Sequence, residues 1–420
     1  MSRRFAPYAV VAAAAALPRL VVLLYERGDI LASFTEKSDD FARTFVHSGT
    51  FGLVPGVPSA YTQPLYGFFL IPIYETVGRH WATVGLAQTV VAVFTALLVL
   101  ALGRRILSER AAVVAALATT LSPYLVWHDV HVNREVLDGL IAPALVLLGL
   151  ALAERGSLRI AAAAGAVSAV AVLGNSRLAA LPLLLLGFAA WRRGLDRRFA
   201  AISLVLLAAA ALVLSPWLVR NRVQLGCWAL TTDSRALWKA NNMQTYGILA
   251  SGKWIDAVKD PPGLAMSPQG VQIEYARTGR IIPFDECAFM RDYRRLVTDF
   301  WRDHPGEKAK LAAQATWMLW QPQVTATEGR PGAGSFLDTG RAVAQPVFTG
   351  LLYVFAVAGL FLVGRAFATL AVALLAYQTL AAMLFVGATR YRVPWDFVIA
   401  LLAAPALVRA AGYVRARVRR

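Results

Sequence analysis

The chain has 420 residues, of which 58% are hydrophobic and only 16% are charged, whereas soluble globular proteins contain about 45–50% apolar residues. This composition excludes an ordinary soluble protein, and several apolar runs of about 18 residues or more are long enough to cross the hydrocarbon layer of a membrane. The two cysteines exclude a disulfide-rich scaffold and a cysteine-based zinc module, while the formal charge of +17 indicates a partner only after its distribution is known.

In chain order, hydropathy predicts ten transmembrane spans in an all-α polytopic membrane protein. The first span, at residues 5–25, is too long for a signal peptide and lacks a small-residue cleavage site, so we expect it to be retained. The segment Pro64–Val77 is too short to span comfortably and is predicted to be an interfacial helix. The other spans are predicted near residues 82–102, 111–127, 136–153, 159–174, 178–191, 199–217, 346–364, 366–387 and 395–410.

The distribution of basic residues predicts the orientation. A cytoplasmic N-terminus places 17 of the 42 Lys and Arg residues, but only three of the 25 Asp and Glu residues, on the cytoplasmic side. Because short cytoplasmic loops retain Lys and Arg, this charge indicates topology and gives no support to nucleic-acid binding. We therefore expect both termini in the cytoplasm. The expected parts are a transmembrane module at 1–217 with a first external loop at 26–80, an external, mainly helical segment at 218–345, and the last three spans with a basic tail at 346–420.

Cys227 and Cys287 both lie in the predicted external segment. An oxidising compartment would allow them to pair, and the loop closed by the bond would stabilise the fold by about 4 kcal/mol in the chain-entropy model. Two buried free thiols are the alternative. We predict the disulfide.

Two adjacent carboxylates, Asp39 and Asp40, follow the first span. A carboxylate can act as the general base for a hydroxyl, and it can hold a divalent cation. Solvated loop acids are the simpler interpretation. His128 and His131, with Glu135, form a second weak metal candidate, for which hydrogen bonding at the membrane interface is the alternative.

Arginines recur at the predicted external ends of the spans, although positive-inside bias should remove them from such turns. Contact with anionic lipid headgroups is one interpretation. The other is a shared site for the phosphate of a lipid-linked substrate, which a guanidinium binds through two parallel hydrogen bonds. The residues are Arg134, Arg177, Arg220, Arg390 and Arg392.

Several motifs occur in a fixed order along the chain. They are Ser38-Asp39-Asp40-Phe41-Ala42, Gly49-Thr50-Phe51, the stretch from Pro58 to Tyr66, Pro216-Trp217-Leu218-Val219-Arg220-Asn221, Asn241-Asn242, Arg302-Asp303-His304-Pro305-Gly306 through Trp317 to Pro322, and Arg390-Tyr391-Arg392-Val393-Pro394. In this order they resemble bacterial membrane glycosyltransferases related to the dolichyl-phosphate-mannose protein mannosyltransferases. The family's Asp-Glu is Asp39-Asp40 here, and Ala240 and Met243 replace the Gly and Pro that flank its Asn pair.

The resemblance implies the C-type glycosyltransferase (GT-C) fold in a bacterial plasma membrane. It implies transfer of a sugar, with inversion, from a polyprenyl-phosphate donor to a hydroxyl of a glycan, lipid or protein on the external face. Asp39 or Asp40 would be the general base, and the arginines would bind the donor phosphate. The implied contacts to the acceptor or sugar are Tyr61, Tyr66, Asn241, Asn242 and Tyr391.

One cofactor and two other functions stay open at this point. A divalent cation (Mg, Mn or Ca) could bridge Asp39 or Asp40 to the lipid phosphate. A transporter or flippase of lipid-linked substrates, or a non-catalytic lipid-binding scaffold, could use the same arginines. An enzyme with alanine at both acids should lose turnover and still bind lipid phosphate, whereas a scaffold should be unaffected.

Overall fold

The structure is a computed structural model in which residues 5–32, 36–325 and 336–418 are described. Within these ranges the regular structure consists of nineteen α-helices and three short 3-10 turns. The only strand-like pairing there is an isolated bridge between Val54 and Val57. The predicted all-α architecture is confirmed.

The helices follow one another in three groups. The first group is α1 (Ala6–Tyr25), α2 (Lys37–Ser48), α3 (Pro64–Val77), α4 (Trp81–Ile106), α5 (Glu109–Thr120), α6 (Pro123–His128), α7 (Glu135–Arg155), α8 (Leu158–Gly174), α9 (Leu181–Arg193) and α10 (Arg197–Leu225). The polar segment, defined here as residues 226–325, holds α11 (Ser234–Lys239), α12 (Thr245–Ala250), α13 (Pro268–Thr278), α14 (Glu286–Asp303) and α15 (Pro305–Trp320). The last group is α16 (Phe336–Leu360), α17 (Arg365–Leu384), α18 (Thr389–Arg392) and α19 (Asp396–Val418).

Seven stretches of the described residues are helical, long and apolar enough to cross a membrane: α1, α4, α7, α10, α16, α17 and the stretch from α18 through α19. The other three predicted spans are also helical, but shorter. The span at 111–127 is divided into α5 and α6 at Ser122-Pro123, because proline lacks the N–H that a continuous helix needs. The spans at 159–174 and 178–191 are α8, with 17 residues, and α9, with 13.

Several long helices expose large apolar side chains. On α10, Leu204 and Leu212 are 71% and 74% exposed. Soluble monomers rarely present such contiguous apolar faces to water, whereas hydrocarbon is a favourable surrounding for them. This surface is that of a polytopic membrane protein.

Glycines set the closest helix contacts of the transmembrane part. A Cβ added to Gly165 on α8 would lie 2.1 Å from the carbonyl oxygen of Leu206 on α10, and one added to Gly359 on α16 would lie 1.7 Å from that of Leu402 on α19. Small residues at such positions allow two helix backbones to approach. The helix pairs α8/α10 and α16/α19 therefore depend on glycine.

The polar segment is fastened to the first loop and to α10. Cys227 and Cys287 form a disulfide, the pairing that the sequence predicted, which joins the residues after α10 to the start of α14. The neighbouring Glu286 is buried and accepts hydrogen bonds from Ala60 N, at 2.9 Å, and from the Thr232 hydroxyl. Burial raises the pKa of Glu286. The disulfide and these bonds hold the first loop against the polar segment.

Helix α14 shows how the polar segment folds. Phe289, Tyr293, Val297 and Phe300 are buried and recur every three or four residues, which places them on one helix face. That face packs against α11, where Trp238 meets the Tyr293 ring at 5.5 Å. The other face of α14 carries its charged residues.

Candidate functional site

A cavity of about 970 Å³ lies between the first loop, the polar segment and the ends of several transmembrane helices. Its walls come from the start of α2, the turns before α7 and after α8, residues 228–240, and residues 385–391. Ligand pockets of proteins typically measure about 300–1,000 Å³, so the cavity has the size of a binding site for a small glycan or a lipid headgroup.

Basic side chains outnumber acidic ones in the cavity wall. The wall holds seven basic residues, namely Lys37, Arg134, Arg177, Arg235, Lys239, Arg294 and Arg390, and three acids, namely Glu36, Asp233 and Asp256. A cleft lined mainly by one sign of charge concentrates ligands of the opposite sign. The cavity therefore favours an anion.

Three of the basic residues form what we call the arginine cluster: Arg134, Arg177 and Arg390. Each comes from a different helix terminus, since Arg134 precedes α7, Arg177 lies in the 3-10 turn between α8 and α9, and Arg390 lies in α18. All three line the cavity. The fold thus collects three of the five arginines that the sequence predicted to share a site.

Arg134 is held at the cavity floor by polar and acidic neighbours. Its Nη1 donates to Gln63 Oε1 at 2.6 Å, and its Nε lies 3.7 Å from Glu135 Oε1. Burial by itself disfavours the charge, but the negative charges of Glu36 and Glu135 outweigh burial and raise the pKa of Arg134. Arg134 stays protonated at every physiological pH.

In Arg177, unlike Arg134, the effect of burial on the pKa outweighs the attraction of neighbouring negative groups. Its guanidinium stacks 3.5 Å from the centre of the Tyr391 ring and donates to the Val386 carbonyl at 3.1 Å. Burial lowers its pKa to about 10, and the positive charges of Arg134 and Arg390 act in the same direction. A bound anion would relieve this repulsion among like charges.

Glu36 is the acid of the cavity wall that lies beside the arginine cluster. It precedes the first residue of α2, and its Oε1 lies 3.4 Å from Arg390 Nη1. Arg390 also donates to the Tyr391 hydroxyl at 2.8 Å. A carboxylate and the arginine cluster therefore face the same space.

Asp39, predicted as a general base, lies away from this space. Its carboxylate accepts two hydrogen bonds from the Arg79 guanidinium, with Nε–Oδ1 at 3.0 Å and Nη2–Oδ2 at 2.8 Å, and one from the Tyr74 hydroxyl at 2.5 Å. Glu36 precedes α2 with an extended backbone (φ −80°, ψ 151°) and faces the cavity, whereas Asp39 lies inside the helix and turns toward α3. Asp39 fastens α2 to α3 and does not line the cavity.

Asp40, the second predicted base, also does not line the cavity. Its side chain is 38% exposed and lies 3.5 Å from Arg43. Partial burial raises its pKa, against the effect of a hydrogen bond from Gln272. Of the predicted acid pair, Asp39 therefore makes a structural contact and Asp40 is half-exposed.

Arg220 and Arg392 were predicted to bind phosphate, but their guanidinium groups are used elsewhere. Arg220 donates to the Ser59 and Phe51 carbonyls, each at 2.8 Å, and thereby holds the first loop against α10. Arg392 is 1% exposed, donates to Asp396 at 3.1 Å, and reaches the Gln321 carbonyl at 2.9 Å. Neither residue lines the cavity, because both turn into packed interfaces between elements.

Of the three tyrosines predicted to contact sugar or acceptor, only Tyr391 lines the cavity. Tyr66 is buried and donates to Gln88 Oε1 at 2.5 Å. Tyr61 is buried beneath Lys37, whose Nζ lies 4.4 Å from the ring centre. Both side chains are part of the core under the first loop.

Asn241 and Asn242 connect elements of the polar segment. Asn241 Oδ1 accepts from Trp301 Nε1 at 2.9 Å and from Lys308 Nζ at 2.5 Å, while its Nδ2 donates to Leu384 at the end of α17. Asn242 Oδ1 accepts from Gln244 N at 2.8 Å in a turn. Burial lowers the pKa of Lys308 to about 8. Asn241 thus ties the polar segment to α17, Asn242 stabilises a turn, and neither residue lines the cavity.

The predicted metal candidates do not assemble into a site. In the part of the chain that the structure describes, no group of three His, Cys, Asp or Glu side chains is arranged to hold a metal ion. His131 is buried, with Nδ1 2.9 Å from the Trp127 carbonyl, and His128 stacks on Tyr124 at 4.8 Å. Both oxygens of Asp39 are engaged by Arg79, so its donor set does not fit a divalent cation.

Sequence reasoning missed Glu36 and the basic residues of α11 and α14. Glu36 stands three residues before the acid pair and was available as a third acid of the same loop. Arg235, Lys239 and Arg294 lie in a polar segment where charge is ordinary, and no motif distinguished them. Only the packing of α11 and α14 directs them to the cavity.

Residues 62–219 match a family model described as "Dolichyl-phosphate-mannose-protein mannosyltransferase". The predicted resemblance to this family is confirmed. The match ends within α10, so it covers the helices that present Arg134 and Arg177 and leaves out α18. No curated protein sequence matches the chain.

Solved structures share the fold. An oligosaccharyltransferase from Archaeoglobus fulgidus, tethered to an acceptor peptide containing the NVT sequon, superposes with a TM-score of 0.54 at 14% identity, covering 97% of this chain and 50% of that chain. The archaeal oligosaccharyltransferase AglB from the same organism, in complex with an inhibitory peptide and a dolichol-phosphate, gives 0.52 at 15% identity, covering 96% and 50%. The chain spans about half the length of these proteins.

A further match is ArnT from Cupriavidus metallidurans bound to undecaprenyl phosphate, at a TM-score of 0.42 and 15% identity over 94% of this chain and 77% of that one. This chain shares its fold with the two oligosaccharyltransferase structures.

Proposed function

We propose that this protein is a membrane glycosyltransferase that moves a sugar from a polyprenyl-phosphate donor to an acceptor hydroxyl. The observation that carries the proposal is the position of Glu36 beside the arginine cluster in one cavity, at the ends of the transmembrane helices. A lipid phosphate could bind there while its prenyl chain stays among the helices and lipid. The family match and the shared fold support the same reaction class.

The arginine cluster would bind the donor phosphate. As the bond from the anomeric carbon to the phosphate oxygen breaks, its electron pair passes to that oxygen and the negative charge of the phosphate grows. Guanidinium groups already in place stabilise this charge without reorganisation. Arg177, stacked on Tyr391, is our candidate for contact with the leaving oxygen, because Arg390 lies beside the carboxylate of Glu36.

Glu36 would act as the general base. The acceptor hydroxyl gives its proton to the Glu36 carboxylate while its oxygen forms the new bond to the anomeric carbon. Attack from the face opposite the departing phosphate inverts the anomeric configuration. This proposal replaces Asp39 and Asp40 with Glu36, since Glu36 is the acid of this loop that lines the cavity.

We further propose that the cavity opens to the external face of a bacterial plasma membrane and that both termini are cytoplasmic. The positive-inside distribution of Lys and Arg supports this orientation. The Cys227–Cys287 disulfide supports it independently, because disulfides persist in oxidising compartments.

A donor panel tests the reaction. Full-length protein, purified in detergent and returned to lipid, would be given polyprenyl phosphates carrying different radiolabelled sugars, together with glycan, lipid and peptide acceptors. We expect one donor to release free polyprenyl phosphate, with the label moving to an acceptor in inverted configuration. A transporter or a scaffold would bind lipid phosphate and leave every donor intact, and that result would refute the proposed function.

A further inference from the structure

A second group of basic side chains lines the cavity on the polar segment. We call Arg235, Lys239 and Arg294 the outer basic group; α11 carries the first two and α14 the third. Arg235 is neutralised by Asp260, with Nη2–Oδ2 at 2.5 Å. Lys239 and Arg294 pair with no carboxylate among the described residues: Lys239 donates to the Asp256 carbonyl at 2.9 Å, and Arg294 to the Ser234 hydroxyl at 3.2 Å.

Lys239 is the more informative of the two. It is only 4% exposed, and its ammonium has three N–H donors, of which the Asp256 carbonyl takes one. Burial and the positive charge of Arg235 lower its pKa, and the carboxylates of Asp260 and Asp256 offset only part of that effect. No carboxylate contacts the ammonium among the described residues, and the ammonium faces a cavity. An anion in the cavity would supply the missing partner.

The outer basic group and the proposed base line the same cavity. Lys37, next to Glu36, pairs with Asp233, and the Asp233 carboxylate caps the start of α11. Lys239 lies at the other end of that helix, about 9 Å farther along its axis at 1.5 Å per residue. An anionic group at Lys239 and a hydroxyl at Glu36 could therefore belong to the same small glycan.

We infer that the acceptor carries an anionic group, a carboxylate or a phosphate, which Lys239 and Arg294 bind while the accepting hydroxyl lies at Glu36. This inference rests on the proposed function. We assign the anion to the acceptor because the arginine cluster, on the helix ends, accounts for the donor phosphate. The outer basic group belongs to the polar segment instead, on α11 and α14.

Binding measurements on the full-length protein test the inference without requiring turnover. Isothermal titration would compare glucuronic acid, glucose 6-phosphate and glucose, which share a ring and differ in charge. A saturating polyprenyl phosphate without sugar would occupy the arginine cluster throughout. We expect both acids to bind at least tenfold more tightly than glucose under these conditions. If the polyprenyl phosphate abolishes acid binding, the acids were held at the arginine cluster and the inference is overturned.

Variants assign the site. We expect Lys239→Gln and Arg294→Gln each to weaken acid binding by about fivefold to tenfold, since each removes a charge-assisted hydrogen bond. Arg295→Gln changes the next residue of α14, which does not line the cavity, and should bind as the wild type does. Because Arg294 is exposed, its variant should fold even if the buried Lys239 variant does not. Wild-type binding by Arg294→Gln would overturn the inference.

The two proposals fail in different ways. If acid binding depends on Lys239 and Arg294 but no donor is consumed in the donor panel, the proposed function is wrong and the anion site stands. If a donor is consumed and neutral acceptors serve as well as acidic ones in both transfer and binding, the proposed function stands and the anionic acceptor is wrong.

Discussion

Glu36 and Asp39 lie three residues apart at the start of one helix, and the fold gives them different surroundings. Asp39 is 2% exposed and is held by Arg79 and Tyr74, whereas the Glu36 side chain is 19% exposed beside Arg390. A base has to reach substrate, and a carboxylate that already accepts three hydrogen bonds is poorly placed to accept a proton. We therefore choose the candidate base by whether its carboxylate lines the cavity, and not by whether it belongs to the Asp39-Asp40 pair.

The role of Asp39 can be tested by stability. Asp39→Asn removes the charge that Arg79 needs, and we expect the free energy of unfolding to fall by about 1–3 kcal/mol. Thermal unfolding in detergent measures the loss. Asp40→Asn is the matched control, since the half-exposed Asp40 should tolerate the change with little effect. A melting temperature unchanged in Asp39→Asn would contradict the structural role.

The contribution of the arginine cluster to donor binding should be measurable as a change in donor affinity. Arg390→Gln removes a charge beside Glu36 and Tyr391, and we expect the KM for the polyprenyl-phosphate sugar to rise by about tenfold or more. Arg222→Gln, on the exposed end of α10, is the control for general loss of positive charge and should leave the KM unchanged. An equal KM in the wild type and Arg390→Gln would remove Arg390 from the donor site.

At the scale of elements, the sequence predicted the helices better than their roles. Helix α3 has the predicted bounds, because Pro64 begins it and Gly78 ends it. All ten apolar segments are helical because their composition decides that locally. Glu36 and Lys239 were missed because the direction of a side chain depends on how α2 and α11 pack, which hydropathy does not report. For the same reason, the sequence did not show that Arg220 and Arg392 lie outside the cavity wall.

The disulfide between α10 and α14 should contribute stability rather than chemistry. It closes a loop of 60 residues in sequence separation, and its removal in a Cys227→Ser, Cys287→Ser variant should cost about 4 kcal/mol in the chain-entropy model. We expect a lower melting temperature, with sugar transfer per folded molecule retained. Reducing agent should lower the melting temperature of the wild type and leave that of the variant unchanged. If neither the double substitution nor the reducing agent gives a melting temperature below that of the oxidised wild type, the bond does not stabilise the fold.

At the scale of the whole molecule, the positive-inside distribution and the disulfide predict the same orientation. Single cysteines introduced into the double-serine variant can test it with a membrane-impermeant maleimide on intact cells. We expect Lys259→Cys, in the polar segment, to be labelled from outside and Arg197→Cys, at the start of α10, to be protected until the cells are opened. The reverse pattern would invert the topology and place the cavity in the cytoplasm.

In the mechanism that we propose, Glu36, facing the arginine cluster, removes the proton from the acceptor. Glu36→Gln keeps the size of the side chain and its place beside Arg390 but removes its basicity, and general-base catalysis contributes about 10²–10⁴-fold to a rate. The decisive measurement is the rate of sugar transfer by the purified Glu36→Gln variant, with the donor identified by the panel and polyprenyl-phosphate binding measured on the same preparation. We predict that transfer falls by at least about a hundredfold while binding of the lipid phosphate is retained. Transfer at the wild-type rate by Glu36→Gln would contradict the account.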